Sequence, residues 1–421
     1  MKSILFFCFT LFSLTLISQE CGDRYQSEVF SNVDVTTVDF GSNVNLAGNT
    51  QILQMDIYQA QGDSANDRPV VIFCFGGSFY AGDRNSPELV SFATSFAKRG
   101  YVCASIDYRL APSVFDLVDE EKMVKVVFGA VQDGKAAIRY FRKNADEGNS
   151  LGIDPDQIFI GGTSAGGILA INLAYVDTLA KLNTSWQSWA SEIGGLEGES
   201  GNPDYCSYVS GVFSFAGAVG DTSFINPNDV PFYSCHATGD QTVLYNYGPP
   251  LNGLAPVNLY GSGDIETRLT NLGIYNTVDT YSGGDHPPLG GNNYDTTEAH
   301  LSTFLYNLLD CNSANLKHAD QQDCEDFTAE PIDPIIQAIA NFNQSLDFSV
   351  YPNPSAQIFY VKSEKNIDKI VVLDVLGRTV LEESYRNEKN VLIDLNHNNN
   401  GIYTIKVLID NNWQNTSLIK N

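Results

Sequence analysis

The sequence has few basic residues and no long hydrophobic segment. Its 24 Lys and Arg residues are outnumbered by 50 Asp and Glu residues, which gives a formal net charge of −26. A chain this acidic is repelled by phosphate backbones and by anionic lipid surfaces, which argues against nucleic acid as a partner. The apolar run from Ile4 to Ile17 is too short for a comfortable membrane span, and the sequence holds no second candidate for one.

Histidine and tryptophan are also scarce, with five and three residues respectively. No cluster of His, Cys and carboxylate residues has the spacing of a metal site, so we predict neither a metal nor another cofactor. A histidine base, if the chain needs one, must come from a short list of candidates.

The N-terminal apolar run follows a lysine and gives way to polar residues, which is typical of a secretory signal peptide. We predict this peptide over residues 1–18. Cys21 also suggests a lipoprotein, but the residues before it are not the small residues of a lipobox, so we do not favour lipidation. Removal of Cys8 with the signal peptide leaves seven cysteines, and of these Cys311 and Cys324 flank a polar loop and could pair.

Strand-like and helix-like segments alternate from about residue 51 to 310. Short continuous apolar runs such as "PVVIFCF" and "YVCASIDY" are typical of parallel strands that are buried on both faces. The alternating order predicts an α/β protein with a doubly wound, mostly parallel sheet. We assign residues 19–320 to this domain.

The C-terminal part of the sequence has a different character. Residues 346–421 alternate apolar and polar positions between Asn- and Gly-containing turns, which predicts a small all-β domain, β-sandwich-like in form. They are also nearly neutral, so almost all of the net charge lies upstream. The intervening residues 321–345 carry two prolines and are predicted to be a linker.

One serine stands among glycines where a strand-like run meets a helix-like run. Residues 162–166, Gly-Thr-Ser-Ala-Gly, fit the pattern G-x-S-x-G of a nucleophile elbow, in which the serine occupies a strained turn between strand and helix. The pattern alone is weak, but its context here is the one that the elbow requires. We therefore predict Ser164 as a nucleophile.

A serine hydroxyl is a poor nucleophile near neutral pH and needs a base and an orienting acid. His286 lies in the loop "YSGGDHPPLG" after the last apolar strand, and it follows every plausible acid, as expected for the order Ser, Asp, His. We predict His286 as the base. The other histidines have expected structural or local roles: His236, His300, His318 and His397.

The acid has three candidates. Asp240 follows an apolar strand in "SCHATGDQTVLY", and we favour it. Asp221 occupies the same kind of position one strand earlier and stays as an alternative. Asp285 is adjacent to His286 in sequence and so is poorly placed to meet its ring.

An oxyanion that forms during acyl transfer needs backbone N–H donors. One should come from Ala165, directly after the nucleophile. The glycine-rich loop "FCFGGSFYAGDR" follows an early strand and should supply the others, from Gly77 and Ser78.

Taken together, "FGGSFYAGDR", "SIDYRLAP", "IFIGGTSAGGILA" and "CHATGDQTVLY" resemble the carboxylesterase branch of the α/β-hydrolase superfamily over roughly residues 45–310. The resemblance implies the α/β-hydrolase fold and activity on carboxylic, acetyl or feruloyl esters. It implies the same site residues: Ser164, Asp240 and His286, with Gly77, Ser78 and Ala165 as oxyanion donors. One departure is Phe75, where these enzymes commonly carry a histidine that steadies the loop.

The tail resembles the C-terminal sorting domain of type IX secretion substrates, in "YPNPS", "LDVLGR" and "GIYTIKV". This resemblance implies a secreted or cell-surface protein that crosses the periplasm of a Gram-negative bacterium and is recognised by the type IX machinery. A carbohydrate-binding module is the competing interpretation, but Trp413 is the only tryptophan in this region.

The sequence thus favours a secreted serine esterase that acts through an acyl-enzyme on a small-molecule or polysaccharide-linked ester. A serine peptidase on the same fold and a noncatalytic binding protein are the alternatives. Residues 177–206 could form a small lid. Trp186 and Trp189 lie three residues apart on its predicted helix, where they could line a substrate site, although we expect ordinary packing.

Overall fold

The computed structural model describes residues 21–312, 316, 347–373, 378–409 and 412–420. The predicted signal peptide and linker lie outside these residues. The chain divides into two compact units, Met1–Ala329 and Glu330–Asn421, and each is described by itself.

The strands of the first unit are β1 (Val33–Val44), β2 (Thr50–Ala60), β3 (Arg68–Cys74), β4 (Val102–Ile106), β5 (Ile153–Thr163), β6 (Gly211–Phe215), β7 (Ala218–Val219), β8 (Phe232–Ala237), β9 (Tyr260–Gly261) and β10 (Asn276–Tyr281). Eight of them form one sheet in the order β1-β2-β4-β3-β5-β6-β8-β10, and β7 pairs with β9 separately. Strand β2 is antiparallel to both its neighbours, whereas all pairs from β4 to β10 are parallel.

The helices of this unit are α1 (Pro87–Lys98), α2 (Glu120–Asp146), α3 (Ala165–Tyr175), α4 (Thr184–Glu192), α5 (Pro250–Gly253), α6 (Ser262–Leu272) and α7 (Asn292–Tyr306). Three short 3₁₀ segments cover Val114–Val118, Leu179–Lys181 and Thr222–Phe224. None of the helices in the described parts of the chain has the length and apolarity that a membrane crossing requires.

The central strands are buried, which explains why their sequences are continuous apolar runs. Every residue of β3, β4, β6 and β8 is buried, as expected for parallel strands with helices on both faces. The edge strand β1 is mostly exposed and reads as a mixture of polar and apolar residues. The predicted doubly wound, mostly parallel sheet is confirmed.

A disulfide joins Cys21 to Cys311 and so ties the start of the described chain to the end of the first unit. The pairing of Cys311 with Cys324 that the sequence suggested is therefore wrong, because the sulfur of Cys311 is already bonded. The same bond occupies the sulfur of Cys21, which removes the lipidation alternative. The polar loop between Cys311 and Cys324 suggested a local disulfide, but the partner of Cys311 lies 290 residues away in the sequence.

The second unit is an antiparallel sheet of β11 (Phe348–Tyr351), β12 (Ile358–Leu373), β13 (Thr379–Asp394), β14 (Gly401–Ile409) and β15 (Asn412–Lys420). The order is β11-β12-β14-β15, with β13 also paired to β12. Alternate residues of β12 and β14 are buried and form this unit's own hydrophobic core. The predicted all-β C-terminal region is confirmed.

Candidate active site

The turn between β5 and α3 holds Ser164 in a conformation that most residues avoid. Its φ is 52° and its ψ is −114°, so the backbone is strained at this position. The glycines on either side are required by packing. A Cβ atom added at Gly162 or at Gly166 would come within 2.1 Å of the carbonyl oxygen of Cys74, at the end of β3. Two glycines at this spacing therefore let the neighbouring strand approach the serine turn.

The structure brings Ser164, His286 and Asp240 into one chain of hydrogen bonds. The Nε2 atom of His286 lies 2.7 Å from Ser164 Oγ, and its Nδ1 atom lies 2.5 Å from Asp240 Oδ2. Asp240 is only 1% exposed and Ser164 only 7% exposed. This arrangement has the geometry of a nucleophile, a base and an orienting acid.

The Asp240 carboxylate is held at both of its oxygens. Oδ1 accepts hydrogen bonds from the backbone N–H groups of Thr242 and Val243, at 2.8 and 3.1 Å. Burial by itself would raise the pKa of Asp240, but hydrogen bonds from His236, His286 and the Thr242 amide hold that pKa well below its usual range. Asp240 therefore stays ionised throughout the neutral pH range.

The other candidate acids and bases occupy different surroundings. Asp221 caps a 3₁₀ turn and accepts a hydrogen bond of 2.7 Å from the Ser223 amide, and Asp285 is exposed. On α7, His300 Nδ1 bonds Asp279 at 2.8 Å, with about half of its side chain in solvent. His397 is exposed in the second unit, and His318 lies outside the described residues.

The backbone N–H groups of the three predicted oxyanion donors, Gly77, Ser78 and Ala165, have no acceptor among the described residues. Gly77 and Ser78 have φ values of 121° and 55°, so the loop turns sharply after β3. Ser78 and Ala165 both line a cavity that begins at Ser164.

Phe75 replaces the expected loop histidine and takes part in a different support. Its ring stacks on that of Tyr108 with centroids 4.1 Å apart, and the Tyr108 hydroxyl donates a 2.7 Å hydrogen bond to the Phe75 carbonyl. Gly82 packs so closely on the Phe75 ring that an added Cβ would lie 2.6 Å from it. Sequence reasoning missed this support, because Tyr108 follows a different strand and no local pattern links it to Phe75.

The cavity beside Ser164 is lined almost entirely by apolar side chains. They come from the Val114–Val118 turn, from α2 and α3, from α4 and from the loop around α5, and they include Leu117, Ile168 and Leu251. Trp186 of α4 also lines it, and its Nε1 donates a 2.9 Å hydrogen bond to Glu120. The expected packing is confirmed for both tryptophans, which are partly buried against the core, and Trp186 lines the cavity as well.

Comparison with known families identifies two regions of the chain. Residues 55–194 match the BD-FAE family, and residues 349–421 match the secretion system C-terminal sorting domain. The first match includes the glycine-rich loop and the serine turn.

Curated relatives match over similar short stretches. An AB hydrolase superfamily protein of Schizosaccharomyces pombe is 34% identical over 108 residues, which are 25% of this chain and 27% of the relative. Esterase LipC of Mycobacterium tuberculosis is 30% identical over 30% of this chain and 27% of its own length. The versiconal hemiacetal acetate esterase of Dothistroma septosporum is 28% identical over 32% of this chain and 37% of its own length. The chain thus spans well under two thirds of each of these relatives.

A solved structure of a thermophilic esterase from Thermogutta terrifontis, with propionate bound, is also similar. It is 20% identical, with 65% of this chain and 94% of that chain covered at a TM-score of 0.48. The fold, the family matches and the serine turn agree with one another: the first unit has an α/β-hydrolase fold with a region similar to the BD-FAE family, and residues 349–421 are similar to a secretion system C-terminal sorting domain.

Proposed function

We propose that the chain is a secreted serine esterase that hydrolyses carboxylic esters through an acyl-enzyme intermediate. The observation that carries the proposal is the hydrogen-bonded series Ser164, His286 and Asp240 at the mouth of an apolar cavity. A noncatalytic binding protein would have no need for this series beside three unpaired backbone donors.

In the first half of the proposed reaction, Ser164 Oγ attacks the ester carbonyl carbon while His286 Nε2 accepts the hydroxyl proton. The ionised Asp240 stabilises the imidazolium that forms. The carbonyl oxygen becomes an oxyanion and receives hydrogen bonds from the N–H groups of Gly77, Ser78 and Ala165. His286 then donates its proton to the departing alcohol, and the acyl group stays on Ser164.

In the second half, water replaces the alcohol. His286 takes a proton from water as the water oxygen attacks the acyl carbon. The second tetrahedral intermediate then collapses, the bond from Ser164 Oγ to the acyl carbon breaks, and His286 returns its proton to Oγ as the acid leaves. The same donors serve both intermediates, so no additional group is needed.

The apolar cavity supports an ester in which one side is apolar. A peptide substrate would bring backbone amide groups into a lining that offers few polar partners, and burying them unpaired would cost free energy. An ester with an aliphatic or aromatic group avoids that cost.

For export, we propose that the N-terminal signal peptide directs the chain to the periplasm of a Gram-negative bacterium. The type IX machinery then recognises the sorting domain and moves the protein across the outer membrane, to the cell surface or the medium. The match of residues 349–421 to a sorting domain supports this route.

A substrate panel tests the activity. The purified protein is assayed on aryl esters of graded acyl length and on peptide amides, with Ser164→Ala as the control. We expect hydrolysis of esters that falls by several orders of magnitude in the variant. A preference for the amides would favour the peptidase, and wild-type protein inert toward both sets would favour the binding protein.

A further inference from the structure

A second histidine lies directly behind the acid of the proposed triad. His236 is on β8, is fully buried, and precedes Asp240 by four residues. Its Nε2 atom lies 2.9 Å from the Val243 carbonyl oxygen and 3.4 Å from Asp240 Oδ2. We infer that His236 is a positioning residue that holds Asp240 in its working geometry, an inference that rests on the proposed function.

The hydrogen bonds around His236 determine its tautomer. A carbonyl oxygen can only accept, so Nε2 must carry the proton that points toward Val243 and Asp240. Nδ1 is then an acceptor and receives the Ser262 hydroxyl at 2.8 Å. The Ser262 oxygen in turn lies 2.8 Å from Ser234 Oγ, and all of these side chains are fully buried. One consistent set of donors and acceptors therefore fixes the orientation of the His236 ring.

This arrangement divides the support of Asp240 between its two oxygens. Backbone amides locate Oδ1, whereas Oδ2 accepts from His286 and faces the N–H of His236. Without His236, Oδ2 would depend on His286 alone, and His286 changes charge during each proposed cycle. Among the described residues, Tyr245 is a titratable group whose ring meets the His236 ring edge-on, and Asp285, the sequence neighbour of His286, is exposed.

Removal of the His236 donor should also change the pH dependence. A donor to the carboxylate spreads its negative charge and moderates its attraction for the His286 imidazolium. Loss of the donor strengthens that attraction, so the protonated form of His286 persists to higher pH. The acid side of the profile of kcat/KM should therefore move to higher pH.

The experiment compares His236→Phe, which removes the donor, with His236→Gln, which keeps an N–H group. Turnover of an aryl ester is measured per active site, with sites counted by stoichiometric reaction with an organophosphate. We expect His236→Phe to lower kcat by about 10-fold or more with KM nearly unchanged. The acid limb of its profile of kcat/KM against pH should move to higher pH by about half a unit or more. His236→Gln should recover part of both changes.

A folded His236→Phe enzyme with normal turnover per site and an unmoved profile would overturn the inference. A loss of total activity that is fully explained by fewer organophosphate-reactive active sites would also overturn it, because a purely structural role predicts that result. If His236→Phe fails to fold, Ser262→Ala removes the donor to Nδ1 and should shift the acid limb in the same direction. An unmoved limb there overturns the inference too, whereas wild-type protein without esterase activity would overturn the proposed function instead.

A separate observation concerns the far end of the cavity. Asn172 lines it from the same face of α3 as Ala165 and Ile168. Since an α-helix rises 1.5 Å per residue, Asn172 lies about 10 Å along the axis from Ala165. Its amide nitrogen donates a 2.8 Å hydrogen bond to the Ile168 carbonyl, which fixes the orientation of the amide. Among the described residues no donor is seen on its amide oxygen, and the side chain borders the cavity.

We propose, again on the basis of the proposed function, that this oxygen accepts a hydrogen bond from the end of the substrate's apolar arm. The substrate would be an ester whose apolar arm ends in a hydroxyl group, with a length of the order of the ~10 Å rise from Ala165 to Asn172. A site that offers an acceptor in an apolar cavity discriminates against an analogue that leaves it unpaired.

Matched esters test this proposal. Wild type and Asn172→Leu are assayed on two series of 4-nitrophenyl esters over a range of acyl lengths. One series carries ω-hydroxy acids, and the other carries the matching acids with a methyl group in place of the hydroxyl. The reverse esters, with the arm on the alcohol, cover the other orientation. We expect wild type to favour one hydroxylated ester by about 10-fold in kcat/KM, and Asn172→Leu to lose that preference. The proposal would be refuted if wild type had the higher kcat/KM for the plain ester at every length, or if Asn172→Leu kept the preference for the hydroxylated ester.

Discussion

At the scale of single residues, Asp240 and Asp221 both follow strands, but Asp240 bonds His286 whereas Asp221 caps a 3₁₀ turn. Asp240→Asn should leave His286 without an anionic partner and in the wrong tautomer, which lowers turnover by up to ~10⁴-fold in related triads. Asp221→Asn should change turnover little, because Asp221 only caps a 3₁₀ turn. Rates of both variants on one ester check this ranking, and the opposite ranking would move the acid to Asp221.

Asp229 offers a residue-scale prediction about stability. Burial raises the pKa of Asp229 to about 6, despite a hydrogen bond from the Asn226 amide and the nearby Lys181. The folded state thus binds the Asp229 proton more tightly than the unfolded state, in which the pKa is about 4. Its ionisation therefore costs stability, fully above pH 6 and not at all below about pH 4.

Asp229→Asn removes that cost and keeps an oxygen for the Asn226 amide. We expect the variant to be more stable than wild type at pH 8, by on the order of 2 kcal/mol, and equal to it near pH 4. Thermal unfolding at the two pH values measures the difference. A gain of the same size at both would point to packing rather than charge.

At the scale of elements, the serine turn depends on how closely β3 approaches it. Gly166→Ala should place a methyl group 2.1 Å from the Cys74 carbonyl oxygen, so β3 and α3 would have to separate. We expect loss of activity and a destabilisation of several kcal/mol, on the order of other overpacked core positions. Gly290→Ala is the control, because no atom lies within 4 Å of its added Cβ. The melting temperatures and ester turnover of the two variants should differ sharply; equal behaviour would refute this account.

The same elements show where sequence reasoning succeeds and where it stops. Parallel strands, the serine turn and the order of the candidate residues are local or sequential patterns, so the sequence indicates them directly. The stacking of Phe75 on Tyr108 and the contact of His236 with Asp240 depend on which strands are neighbours. A lone histidine beside a strand looks the same whether it bonds only the local backbone or also supports a carboxylate.

At the scale of the whole molecule, the sequence locates the two units through composition, but it does not reveal how the first is closed. The change from an acidic to a nearly neutral segment and from α/β to all-β patterning marks the tail. The disulfide between Cys21 and Cys311 closes a loop of 290 residues, and no local spacing could indicate that partner. In a chain-entropy account such a bridge stabilises by about 5 to 6 kcal/mol.

Removal of this bridge is therefore a test of the first unit as a whole. Cys311→Ser should lower its unfolding temperature by several degrees and leave ester turnover at low temperature nearly unchanged, since neither cysteine lines the cavity beside Ser164. Thermal unfolding and turnover of the oxidised proteins provide the measurement. If the variant unfolds at the wild-type temperature, the cross-link contributes nothing to the unit's stability.

The tail gives the last prediction. Its sheet has a hydrophobic core made of its own residues, and the residues of the proposed active site all belong to the other unit. A protein that ends at residue 345 should thus fold and hydrolyse a small soluble ester at the full rate, because each core is complete without the other. In the native host, the same truncation should leave active enzyme in the periplasm, since the machinery would lack the domain that it recognises. Ester hydrolysis is measured in the periplasmic and extracellular fractions. Normal secretion of the truncated enzyme would refute the sorting role. A loss of activity confined to an insoluble polysaccharide ester would favour a binding module.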